Sequence, residues 1–298
     1  MGIDVAALVH QSKLGVKTTH EHHETNNSTL AITRVASWCR LLFTPISPTF
    51  PFALSRLIRR YQPDILHLHL PNPSTFWLLL LPSARRLPWV VHWQSDVLTT
   101  KSSAVLRICY GCYRIFERWL LRRANKIIVT SSQYLDSSPA IAPFREKCCT
   151  IPLGVIDRFA TARSETIKPS SDGPLQILAI GRLTHYKGFD VLLRAIAETD
   201  NTELDLVGTG EQFMNLTSLA QKLGIAERVR FHGRLSDQDR DSLLQICDCL
   251  CLPSIDRTES FGVVLLEAMS AGKPCVISEV PGSGMTSLVE AGNTGIVV

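Results

Sequence analysis

Five short apolar runs in the second half of the chain constrain the fold most, because each ends at a turn and, but for the last, leads into a stretch of helical periodicity. They are LQILAIG (Leu175–Gly181), ELDLVG (Glu203–Gly208), RVRFHG (Arg228–Gly233), CDCLCLPS (Cys247–Ser254) and PCVIS (Pro274–Ser278). Between them the apolar spacing predicts helices over Phe189–Thr199, Phe213–Leu223, Asp237–Cys247 and Phe261–Ala271. Near-continuous apolar runs of strand length describe strands buried on both faces, the packing of parallel sheets. Strand and helix in alternation then mean a doubly wound α/β sheet.

The first half carries the same pattern in DILHLHL (Asp64–Leu70), WVVHW (Trp89–Trp93) and KIIVTS (Lys126–Ser131). Its opening VAALVHQ and the closing GNTGIVV also read as strands. A polar joint, ARSETIKPSSDGP (Ala162–Pro174), separates the two copies. The expected organisation is therefore a Rossmann-like domain over 1–161, a linker over 162–173 and a second Rossmann-like domain over 174–298. A chain of 298 residues is long enough for two domains.

The 45% hydrophobic and 19% charged content excludes a disordered or fibrous chain. No run is long enough to span a bilayer, and FWLLLL (Phe76–Leu81) stops at Pro82. The start, MGIDVAALVHQSK, has neither a secretory leader nor the Ser or Thr that myristoylation needs. Of nine cysteines, Cys247, Cys249 and Cys251 alternate as one face of a strand would, and Cys109 and Cys112 fall in a helical pattern without a second ligand pair. Free thiols of a reducing compartment are expected. HEHHE (His20–Glu24) is read as a polar loop in preference to a metal site. Residues 1–160 hold 19 Lys and Arg against 9 Asp and Glu, whereas 161–298 hold 12 against 18. That asymmetry points the first half at an anionic membrane surface or describes solvated helix faces; no nucleic-acid motif accompanies it.

Ligands of open α/β sheets bind at the carboxyl ends of the strands, so the turns there hold the candidate site. GRLTHYKG (Gly181–Gly188) offers Arg182, a planar fork, and Lys187, a point charge, a pairing suited to a diphosphate. GTGE (Gly208–Glu211) supplies Gly208 and Gly210, read as letting a ligand approach the backbone. It is not a GxGxxG fingerprint, which disfavours a nicotinamide enzyme. In DRTESFGVVLLEAMSAGKP (Asp256–Pro274), Glu259 is expected at a helix N-terminus, with Gly262 leaving room for phosphate oxygens at the free N–H groups of Gly262 and Val263. Glu267 lies among apolar neighbours, and a buried carboxylate needs partners, for which ribose hydroxyls would serve.

The last stretch resembles the E-x7-E signature of retaining glycosyltransferases of family 4, which have the GT-B fold. GRLTHYKG, LVGTGE, VRFHGRLSD and PGSGMTSLVEAGNTGIVV resemble further segments of that family in order, as do DILHLHLPNP, VVHWQSDV, ANKIIVTSSQY and IPLGVID. The resemblance covers nearly the whole chain and implies two domains facing across a cleft. It implies that Arg182 and Lys187 bind the donor diphosphate, with Gly181, Gly208 and Gly210 beside it. Glu267 would hold the ribose, and Glu259 and the backbone at Ser260, Phe261, Gly262 and Val263 would meet sugar or phosphate oxygens. His92, placed on the loop after the WVVHW strand, would reach the donor sugar, with Asp96 near the acceptor. No metal is expected, since no Asp-x-Asp pair follows a strand. The expected protein is a cytoplasmic or membrane-peripheral hexosyltransferase. It would use a nucleoside-diphosphate sugar and a glycan or lipid-linked acceptor in cell-surface polysaccharide or glycolipid assembly. A nucleotide-sugar-binding remnant without catalysis is the alternative; a GT-B epimerase lacks a clear match in the signature stretch. The family's first βα unit with its glycine-rich loop, and its C-terminal helices, have no counterpart here, so truncation at both ends is expected.

Overall fold

The computed structural model describes residues 3–25, 28–41, 44–97, 104–160 and 173–298. Backbone contacts divide the chain into two compact units, Met1–Ile128 with Pro143–Cys149, and Val129–Ala142 with Thr150–Val298. The joint expected at 162–173 lies, but for Gly173, outside the described residues.

In the first unit, β1 (Val5–His10), β2 (Thr19–Thr25) and β3 (Ser28–Val35) form a three-stranded sheet in the order β1-β3-β2. HEHHE is thus strand, not loop: it pairs antiparallel with β3 from Thr19↔Arg34 to Thr25↔Ser28. Pairing with β3 explains this, because Arg34 Nε donates to Glu21 across the ladder at 2.8 Å, and such cross-strand pairs hold a polar strand in place. A ribbon of β4 (Cys39–Leu41) and β5 (Thr44–Ile46) leads to helix α1 (Phe50–Tyr61). Next come β6 (Leu66–Leu70), the four-residue helix α2 (Pro82–Arg85), β7 (Trp89–Trp93), α3 (Ala104–Arg123), β8 (Lys126–Val129), α4 (Ser132–Ser137) and β9 (Cys148–Thr150). The sheet order β6-β7-β8-β9 makes this a separate four-stranded layer, so the first half is not the single doubly wound sheet its runs imply. Its Leu66, Leu68 and Leu70 are buried while His67 and His69 are exposed. Not every arginine of this half is a free surface charge. Arg123 donates to the carbonyls of Arg85 and Leu87 at 2.5 and 3.1 Å and lies over the Trp89 ring.

The second unit is the expected sheet. Helix α4 counts with it because Arg257 donates to the Ser137 carbonyl at 2.5 Å and Ser137 Oγ to that of Gly282 at 3.1 Å. Its strands and helices alternate as β10 (Leu175–Ile180), α5 (Phe189–Glu198), β11 (Thr202–Val207), α6 (Phe213–Lys222), β12 (Val229–Gly233), α7 (Asp237–Ile246), β13 (Cys249–Leu252), α8 (Val263–Ser270), β14 (Cys275–Ile277) and β15 (Gly295–Val297). All neighbouring pairs are parallel, in the order β12-β11-β10-β13-β14-β15. Counted from β10 this is 3-2-1-4-5-6, the doubly wound dinucleotide-fold order, which reverses direction between β10 and β13. Successive residues serve opposite cores: Leu178 and Leu250 pack with α7 and α8, Ala179 and Cys251 with α5 and α6. Cys247 caps α7 and joins the former core, so it does not share a strand face with Cys249 and Cys251. The described cysteines are all free thiols, and among the described residues no helix is long and apolar enough to cross a membrane.

Gly208 adopts φ +146°, where a side chain is strained, and a Cβ there would run into the Gly181 carbonyl. A Cβ on Gly210 would likewise run into Leu183. These glycines therefore let two turns of the protein touch, which differs from the ligand approach expected of them. Gly208→Ala is expected to destabilise the second unit by more than ~1 kcal/mol, read as a lower urea midpoint.

In the first unit burial pushes the carboxyl of Glu117, on α3, up to about 7 from an ordinary 4.5. Between those values the folded chain holds a proton that the unfolded chain has lost, so stability falls as pH rises through the interval. Glu117→Gln is expected to remove that part of the slope in urea melts taken between pH 4 and pH 8, a range that spans both values.

Candidate donor-binding site

Crevices of doubly wound sheets open where the strand order reverses, outside the carboxyl ends. Here that point lies between the turns after β10 and β13. The first is Gly181–Gly188, in which His185–Lys187 make one 3₁₀ turn. The second runs from Pro253 to Gly262. They are tied together by Ile255 N–H donating to the Tyr186 carbonyl at 2.9 Å.

Lys187 is 8% exposed and its Nζ is ion-paired with the Glu259 carboxylate. Ser254 Oγ donates to the same carboxylate at 3.4 Å. Glu259 is not at a helix N-terminus, because α8 starts only at Val263. It stands on the preceding loop, which is held by Glu259 N–H on the Asp256 carbonyl, by Ser283 Oγ on the Glu259 carbonyl and by Gly284 N–H on the Ser260 carbonyl. The reason is Gly262, whose φ of +83° breaks the chain direction before the helix. A Cβ on Gly262 would meet Leu252, Leu265 and Met285. The glycine thus serves a left-handed bend against the core, not space for a ligand. Phe261 is buried and Val263 exposed. Arg182 is exposed, on the same turn as Lys187.

Glu267, on α8, goes elsewhere. Its Oε1 lies 3.3 Å from Arg158 and 3.6 Å from Arg240, and these arginines also reach Asp241 at 3.4 and 3.3 Å. The partners that its burial demanded are therefore arginines of the chain itself. Sequence reasoning missed Arg158 and Arg240. Only an Asp237–Arg240 pair at helical i,i+3 spacing hinted at the second. Arg240 Nε is buried without a hydrogen-bond partner.

The first unit places His92 inside β7, in register with His69 of β6, and not on the loop after it. The strand has the bounds of the WVVHW run read from the sequence, and His92 is its fourth residue. Burial first, then the neighbouring imidazoles of His69 and His67, hold His92 below the usual histidine range. The residue that follows the strand is Gln94, exposed, its amide 3.0 Å from His69 Nδ1. Asp96 is 5% exposed and accepts from Trp93 Nε1 at 3.0 Å, so it anchors the turn.

Residues 1–154 match the family described as glycosyl transferase 4-like domain, and residues 162–298 that described as glycosyl transferases group 1. The chain is 32% identical over 241 residues to the D-rhamnosyltransferase WbpZ of Pseudomonas aeruginosa, covering 80% of this chain and 60% of that protein. Against the O-antigen chain mannosyltransferase C of Escherichia coli it is 29% identical over 256 residues, covering 83% and 66%. It thus spans less than two thirds of the length of either relative. Among solved structures, sucrose-phosphate synthase of Thermosynechococcus elongatus superposes with a TM-score of 0.71 at 20% identity, covering 99% of this chain and 75% of that one. Anabaena HepE in complex with UDP-glucose superposes with 0.66 at 19%, covering 99% and 85%. The two halves match adjoining families of one enzyme class and the fold is that of GT-B glycosyltransferases, so the chain belongs to the group 1 glycosyl transferases with a 4-like first domain.

Proposed function

We propose that the chain serves retaining transfer of a hexosyl group from a nucleoside-diphosphate sugar to a glycan or lipid-linked acceptor of the cell surface. The observation that carries this is the buried Lys187–Glu259 pair at the reversal of strand order. An ammonium this buried requires a counter-charge. When a diphosphate enters, it replaces the carboxylate as the partner of Lys187, with Arg182 adding its fork to the outer oxygens. Glu259 is then released to accept from sugar hydroxyls. The binding energy of the diphosphate is thereby coupled to positioning the sugar. As the glycosidic bond breaks, charge builds on the leaving phosphate, where Lys187 and the first N–H groups of α8 stabilise it.

Glu267 is assigned to the ribose, with Arg158 and Arg240 holding its carboxylate in place. Gly181, Gly208 and Gly210 shape the floor of the turn, and Ser260 to Val263 its far wall. His92 and Asp96 are assigned to the sugar and to the acceptor on the resemblance alone. Nothing in this donor handling requires a metal ion. The named relatives, a rhamnosyltransferase and a mannosyltransferase of O-antigen type, and the UDP-glucose complex of HepE support a nucleotide-sugar donor and a cell-surface glycan as product.

Lys187→Ala is expected to lower donor turnover by about 10²–10³-fold and to weaken nucleoside-diphosphate binding in calorimetry. Turnover at the unaltered rate would refute the assignment. Binding by the parent protein without transfer to any acceptor would instead identify a binding remnant.

Helix α1 supports a peripheral site on the cytoplasmic membrane face. Phe52 is 76% exposed, and Arg56, Arg59 and Arg60 are exposed on the same helix. Partition onto anionic vesicles is expected to fall as salt rises and by about fivefold for each of Arg59 and Arg60 changed to Ala. Salt-independent partition would count against it.

A further inference from the structure

We infer that His67, His69 and His92 form a binding site for one divalent transition-metal ion of the zinc class in the first unit. Strand β6 buries its three leucines, which leaves His67 and His69 two residues apart on the opposite face. Strand β7 runs parallel beside it with His92 in register against His69, so a third imidazole stands next to the second. The rings are 4.9–5.7 Å apart between centroids. One ring nitrogen from each histidine lies within 4.8 Å of those of the other two. Zinc–nitrogen bonds of about 2.0–2.1 Å place two tetrahedral ligands about 3.4 Å apart. Each ring therefore has only a small inward swing to make, and His67 and His69 are exposed and able to make it.

A further observation points to an ion. His92 Nε2 is buried without a hydrogen-bond partner, a state that a native fold rarely leaves unexplained. A donor set of imidazoles alone selects zinc, copper or nickel over magnesium or calcium. Three protein ligands leave a fourth position open to water or another oxygen. The HEHHE strand, for all its histidines, brings no such set together among the described residues. Since His92 is shared with the sugar-binding role assigned above, a bound ion would inhibit transfer; that consequence rests on the assignment of His92, whereas the site does not.

The test is spectroscopic and independent of catalysis. The full chain, stripped of metal, is titrated with Co²⁺, followed by Zn²⁺ with Mg²⁺ as the control. Expected are one equivalent of cobalt with visible ligand-field bands, displacement by zinc and none by magnesium. His67→Ala and His69→Ala should each weaken binding by about 100-fold or more, while His20→Ala leaves it unchanged. Circular dichroism of the metal-free variants checks their folding. His67→Gln and His69→Gln, closer in size to histidine, should weaken binding as the alanine variants do and keep the test decisive if an alanine variant misfolds. Absence of the cobalt bands in the parent chain, or unchanged affinity in the His67 and His69 variants, overturns the site.

Discussion

The reversal of strand order between β10 and β13 governs the polar chemistry of the second unit. Parallel strands all end at the same side, so their outgoing turns collect there, and at the reversal neighbouring turns leave in opposite directions. Lys187 and Glu259 come from those two turns and meet as a buried pair. The approach is close enough that Gly188, which closes the first turn, must lack a side chain to clear the Pro253 carbonyl of the second. Packing and chemistry are therefore not separable here. The turn that carries the ammonium is held by the backbone contact that excludes a Cβ.

The two glutamates of the signature stretch show how much one bend changes. Read as one continuous helix, Glu259 and Glu267 would lie a little over two turns apart along it. The left-handed Gly262 instead separates them, putting Glu259 on a loop with Lys187 and Glu267 on α8 with Arg158 and Arg240. A carboxylate paired with a single lysine can exchange that partner for a phosphate. One held between two arginines keeps its position and offers its remaining lone pairs to hydroxyl groups. In the proposed function the two acids divide a mobile role from a fixed one.

Much of this was legible in the residues. The apolar runs located the first five strands of the second sheet, β10 to β14, to within two residues, because burial on both faces leaves few alternatives to a hydrophobic run. Glu267 stood out as a charge where apolar context made charge costly, and Lys187 and Glu259 by their places on the turns that follow strands. Other features were hidden for specific reasons. HEHHE has no apolar face, so its strand state depends on the cross-strand pairing with β3, which periodicity does not report. His92 lies within the WVVHW run that the sequence reads as strand, so only its placement on the following loop failed; its register against His69 comes from the ladder with β6. Cys247 read as strand because the cap of α7 and the start of β13 are both apolar.

By itself the sequence determined the alternation of elements, the doubly wound class and the turns that carry charge, since these follow from local periodicity and the cost of burying polar groups. Only the tertiary structure decided which charges meet. Ion pairs such as Lys187–Glu259 and Arg158–Glu267 join residues 72 and 109 positions apart, and the three histidines gather through a register between strands. Such contacts depend on strand order and backbone bends, which neighbouring residues in the chain do not encode.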